Sequence, residues 1–242
     1  MKLLTGAAAL LSIVSTSFVF ADAPSALRVA EIKSEIRAIT GAHTFDNKAT
    51  AAQTRAELDN LVAELVQAYP DTSAADQLSS VAGAWKQLWS DDFDGESDFG
   101  NPIKPDKTTI FQYISKEGWF YNVANATTPL PFVKPLTLLR GDYSVNADDL
   151  SIEFTKVSAR LNGLQQGESV SAIVEGAEAG KIFTIGAPGG AKYPKGPVGA
   201  KGILKNIYID KDFRLATGEN LTFNIGVTNL YVLDRADKLT AK

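Results

Sequence analysis

Acids are the plentiful reactive groups of this sequence: 28 Asp and Glu stand beside one His, His43, and no Cys. Without thiols there is no disulfide, Cys-based zinc site or thiol nucleophile, and a single imidazole leaves serine-triad and zinc-hydrolase chemistry short of parts. Paired carboxylates are the remaining enzymatic option. Asp210 and Asp212, two apart on an expected strand, share a face, and structural hydrogen bonding near Arg214 is the plainer expectation for them. In SDDFDGESD, Ser90 to Asp98, the acids Asp92, Asp94, Glu96 and Asp98 alternate as in a calcium loop. The segment fails as an EF-hand because Ser97 stands where the turn Gly belongs and Ile103 where a bidentate Glu belongs. A solvated loop and a looser calcium loop both stay open. The expectation is no catalytic residue, no metal site and no cofactor.

Aromatic residues suggest a different kind of chemistry, the burial of an apolar ligand. Phe111, Tyr113, Trp119, Tyr121, Phe154, Phe223 and Tyr231 are the candidate ligand-binding residues; the same rings would also serve to fill a solid core. The one basic region lies between Ala179 and Ile209, which holds no acid. Its centre, GAPGGAKYPKGPVGAKG, is rich in Gly and Pro and reads as a long exposed loop. Lys192, Lys195 and Lys201 are the candidates there for contact with phosphate headgroups or an anionic membrane surface. It is not a Walker loop, since neither Gly-rich stretch carries Gly-Lys followed by Ser or Thr. The net charge of −4 disfavours a nucleic-acid partner, which would show a basic stripe. The expected partners are a hydrophobic small molecule or lipid, with peripheral membrane contact.

The elements that must position these residues change character along the chain. Lys2 followed by the uncharged stretch Leu3 to Ala21 has the layout of a secretory signal cleaved after Ala21, so an exported, periplasmic or extracellular protein is expected. Residues 22–82 read as a helical segment. Ile32, Ile36 and Ile39 recur at helical spacing before Gly41, and Leu58, Leu61, Val62, Leu65, Val66 and Tyr69 form a second stripe ended by Pro70. From Gly83 to the last residue, 242, the period is two. Phe111 and Tyr113 share one strand face, and Trp119, Tyr121 and Val123 another, with Lys116 to Gly118 as a hairpin turn between them. Leu150, Ile152 and Phe154 alternate with polar residues, as do Leu221, Phe223 and Ile225. Successive strands without interspersed helices predict an antiparallel barrel. In such a barrel the first and last strands become neighbours. The guanidinium of Arg214 would then lie across the indole of Trp85 and close the floor.

Several blocks resemble the plastid lipid-associated proteins, or fibrillins. GAWKQLWS at Gly83 to Ser90 is similar to the block with which that family begins its lipocalin-like barrel. FQYI at Phe111 to Ile114, with NVAN at Asn122 to Asn125, resembles its next block. YIDKDFRLATG at Tyr208 to Gly218 and NLYVLDR at Asn229 to Arg235 resemble its C-terminal signature. The resemblance spans roughly Leu27 to Arg235. It implies a mainly β protein, a lipocalin-like antiparallel β-barrel preceded by two amphipathic helices, that binds lipids, isoprenoid quinones or carotenoid-like molecules without catalysis. The alternative is a protein-interaction or envelope-structural module with a filled barrel.

Overall fold

In the computed structural model, residues 24–70, 72–92, 104–128, 133–186, 197–222 and 225–239 are described. Helices begin where a polar side chain caps an apolar stripe. Ser25 accepts from the Arg28 amide to start α1 (Ala26–Ala42). Asn47 and Thr50 form a reciprocal capping box at the start of α2 (Lys48–Gln67), and Ser73 caps the short α3 (Ala74–Val81). The sequence led us to expect two helices before the strands. The third, α3, is eight residues long, too short for a periodic stripe to stand out.

Ten strands follow among the described residues: β1 (Gly83–Ser90), β2 (Lys104–Pro105), β3 (Phe111–Ile114), β4 (Trp119–Thr127), β5 (Leu136–Val145), β6 (Leu150–Arg160), β7 (Phe183–Gly186), β8 (Lys201–Ile209), β9 (Phe213–Asn220) and β10 (Thr228–Arg235). Eight of them close a ring of antiparallel pairs in the order β1, β3, β4, β5, β6, β8, β9, β10, with β2 and β7 appended to β4 and β6. The closing pair is β1 with β10, in the register Trp85 to Arg235 and Ser90 to Tyr231. The expectation of strands without helices is corrected by α4 (Val170–Glu178), capped by Ser169, between β6 and β7. Leu221 and Ile225 lie in the β9–β10 connection rather than in a strand, and Phe223 lies outside the described residues.

Strand alternation divides the apolar side chains among three clusters. One lies inside the barrel and includes Trp85, Ile114, Phe120, Leu150, Leu204 and Leu233, with Ala74 and Val81 of α3 closing one end. A second lies outside, where Ile32, Ile36, Leu58 and Leu65 of α1 and α2 cover Phe213, Leu215, Leu230 and Val232. The third puts Val170, Ile173, Val174 and Ala177 of α4 on Phe111, Tyr121, Val123 and Leu138. Bulges reassign faces locally. The register shift between Gln87 and Trp89 sends Trp89 to the outer cluster although it has the same parity as the inner Trp85. α1 is tied to the barrel by ions as well: Lys33 Nζ lies 2.7 Å from both Asp210 and Asp212, and Arg37 lies 2.9 Å from Asp234.

Candidate ligand cavity

An eight-stranded barrel is just wide enough either to be filled by side chains or to hold one small ligand. Here the floor is filled and the other half is not. A cavity of about 130 Å³ lies between facing strands, lined by Gln112, Phe120, Asn122, Ile152, Phe154, Leu204 and Tyr231, among others. It opens at the end where β1 finishes and β10 begins, beside Asp92, Lys201 and Asn220. Two close approaches to glycine make room for its rings. A Cβ on Gly141 would sit 2.2 Å from Phe120 Cε1, and one on Gly218 would sit 2.8 Å from Tyr231 Cε2. Phe120 also packs on Phe154 at 5.7 Å between centroids, and the Tyr231 hydroxyl donates to Asp92 at 2.7 Å.

Of the expected ligand-binding residues, Phe154 and Tyr231 line this cavity. Phe111, Tyr113, Trp119 and Tyr121 do not. They share the outer face of β3 and β4, where they meet α4. Tyr113 stacks on Trp119 at 5.8 Å, and the Tyr121 hydroxyl donates to Glu178 of α4 at 2.5 Å. Burial, then the hydrogen bond and charge of Glu178, raises the Tyr121 pKa. The physical reason for this correction is parity: period two says which residues share a face, and only the covering element says which face is inside. The residues that do face the cavity from these strands are Gln112, Phe120 and Asn122, one position out of phase. Phe223 lies outside the described residues.

Trp85 and Arg214 are both fully buried at the floor. The Arg214 guanidinium carbon lies 5.9 Å from the indole centroid, and a second cation that the sequence reading passed over, Arg235, lies closer at 3.8 Å. The indole Nε1 donates to Val81 O at 2.7 Å, which docks α3 beneath it. Arg214 donates through Nε to Asn206 Oδ1 at 2.7 Å and through Nη1 to Gln112 Oε1 at 3.0 Å, while Nη2 has no partner among the described residues. No described carboxylate pairs with it. Burial, reinforced by the charge of Arg235, pulls the Arg214 pKa down to about 9.

The other candidates have structural partners. Asp210 and Asp212 lie in the β8–β9 turn and both bind Lys33, and Asp210 also accepts from the amides of Asp212 and Phe213. His43 meets Asp46 at 3.2 Å. Among the described residues no group of His, Cys, Asp or Glu is arranged to hold a metal. Asp94, Glu96 and Asp98 lie outside the described residues, as do Lys192 and Lys195 and the stretch 1–21. Lys201 stands at the cavity opening, 3.6 Å from Glu153.

A closed antiparallel barrel with a plugged floor, a partly hollow interior and helices against its wall defines a lipocalin-like scaffold. A family model described as PAP_fibrillin matches residues 34–225, and the chain belongs to that family, which is lipid-associated and generally non-enzymatic. Comparison with curated proteins finds no match.

Proposed function

We propose that this protein binds and shields a hydrophobic small molecule, a lipid, isoprenoid quinone or carotenoid-like compound, by one end in the barrel cavity, outside the cytoplasm and without catalysis. The observation that carries this reading is the cavity itself, walled by Phe120, Phe154, Ile152 and Leu204 and open at one end. Ligand pockets that enclose a whole small molecule run to about 300–1,000 Å³. At about 130 Å³ this one holds an end segment and leaves the rest of a long ligand at the opening.

The opening suits that arrangement. Strand direction puts Leu161 and β7, with Phe183 and Ile185, at the same end as the β9–β10 connection, with Leu221, Ile225 and Val227. All six side chains are exposed, which supports contact with a membrane or lipid surface over which cargo passes. The secretory layout of the first residues supports export, in a periplasmic or extracellular setting.

The small volume also favours a second reading, an interaction module with an essentially filled barrel. One experiment separates the two. The protein is purified without detergent, extracted with organic solvent and analysed by mass spectrometry beside Phe154→Trp, which fills the cavity, and Trp119→Ala, which lies outside it. A stoichiometric lipid retained by Trp119→Ala and lost from Phe154→Trp supports the carrier. A blank from all three proteins, repeated after incubation with total membrane lipid, rejects it in favour of the interaction module.

A further inference from the structure

The polar atoms around the floor form a chain with a fixed direction. Gln77 Nε2 on α3 donates to Thr72 O and Oγ1, both at 3.2 Å, and Asn206 Nδ2 donates to Gln77 Oε1 at 3.1 Å. Arg214 then donates to the oxygens of Asn206 and Gln112 at 2.7 and 3.0 Å. A guanidinium has only donors, so it dictates how both amides are turned. Gln112 commits its oxygen to Arg214. What it has left is Nε2, a donor that makes no hydrogen bond to a described residue, on a side chain that lines the cavity.

Directly across the β3–β4 ladder, the partner of Gln112 is Asn122, which also lines the cavity. Its Oδ1 is buried and has no hydrogen-bond partner among the described residues. Opposed residues on neighbouring strands have Cβ atoms roughly 4.5–5.5 Å apart, so the two amides are neighbours, beside the apolar side chains of Phe120, Ile152, Phe154 and Leu204. A buried polar group left unmatched costs roughly 1–3 kcal/mol, and a hydrocarbon end would leave both unmatched.

We propose that Gln112 and Asn122 form a subsite for a hydroxyl group, so that the cavity takes an apolar molecule ending in an alcohol, hydroxyl first. Its O–H donates to Asn122 Oδ1 and its oxygen accepts from Gln112 Nε2. A carboxylate or ketone can only accept, and would set its lone pairs against Asn122 Oδ1. Arg214 does not line the cavity, so its charge reaches a ligand only through Gln112. The assignment rests on the carrier reading and names the ligand end that reading leaves open.

The test uses the whole protein and three radiolabelled probes in equilibrium dialysis: dodecanol, dodecyl fluoride and dodecanoate. The fluoride matches the hydroxyl in size and donates nothing. Dodecanol should bind about tenfold more tightly than either of the others, the worth of about one satisfied buried hydrogen bond. In Asn122→Leu, dodecanol and dodecyl fluoride should bind within about twofold of each other, with the fluoride undiminished. Equal binding of alcohol and fluoride to the unaltered protein, or tightest binding of dodecanoate, overturns the hydroxyl subsite and leaves the carrier standing. Binding of none of the three overturns both. The contrast in the unaltered protein decides the matter without the variant, so a failure of Asn122→Leu to fold does not obscure it.

Discussion

Arg235 is the cross-strand partner of Trp85, and its guanidinium carbon lies over the indole, 3.8 Å from the ring centroid, while the group donates to the backbone oxygens of Ser80 and Ala82. The ends of the barrel sequence and the residues leading out of α3 are thus joined by one side chain. A desolvated cation–π contact is worth up to about 2 kcal/mol, and the freed carbonyls add to the loss. Arg235→Ala should lower stability by roughly 2–3 kcal/mol in urea unfolding. Arg235→Lys, with a point charge in place of the planar fork, should recover less than half of that.

Gly141 is the register partner of Phe120, whose ring occupies the space a Cβ would need. Gly141→Val drives that ring toward Phe154 and the cavity. Overpacking of this kind costs roughly 1–3 kcal/mol. The folded variant should have lost its bound lipid, read by solvent extraction and mass spectrometry, whereas a stability change with full lipid content would speak against Phe120 as a cavity wall.

The outer aromatic group behaves differently. Tyr121→Phe removes the hydrogen bond to Glu178, which keeps Arg140 at 2.9 Å. The expected cost is roughly 1–2 kcal/mol in thermal or urea unfolding, with lipid content unchanged. Lipid loss in this variant would place the ligand under α4 instead of in the barrel.

Acid should loosen α1 from the barrel. Burial opposes ionisation of Asp210, but hydrogen bonding with Asp212 and Lys33 outweighs it and holds the pKa below the ordinary value of 3.8. A depressed folded pKa contributes stability that is present above the unfolded value and is lost as the pH falls through the folded one. Asp234 has the opposite sign: burial raises its pKa despite Arg37, so its ionisation costs stability as the pH rises. Melting temperature followed down through the carboxylate range should therefore fall less steeply in Asp210→Asn than in the unaltered protein. Asp234→Asn should keep the steep fall.

Much of this architecture is legible in residue order. Gly83 to Trp89 and Asn229 to Arg235 are the joined first and last strands, and Phe111 to Val123 is a hairpin turned at Gly118. The inside of the barrel is not legible in the same way, because alternation is symmetric. Gln112 and Ile114 alternate with Phe111 and Tyr113 as regularly inward as outward. The clue lay in Val170, Ile173, Val174 and Ala177, a helical stripe inside a stretch that otherwise reads as loop. Recognising α4 supplies a cover for the more apolar face and sends the amides inward. Bulges at Gln87 and Asn206 break parity, and no local signal in the residue types announces them. The free donor of Gln112 in the cavity follows only from the amide orientation that Arg214 imposes.

The β1–β10 seam is also the point at which the ring closes. Until β10 is in place, β1 and β9 are the two free edges of an open sheet, and Trp85 lacks the nearer of its two cations, Arg235. The cavity comes into being with the last strand. An apolar molecule encountered before that moment meets a broad open surface and is enclosed as the seam closes, whereas one encountered afterwards has only the mouth.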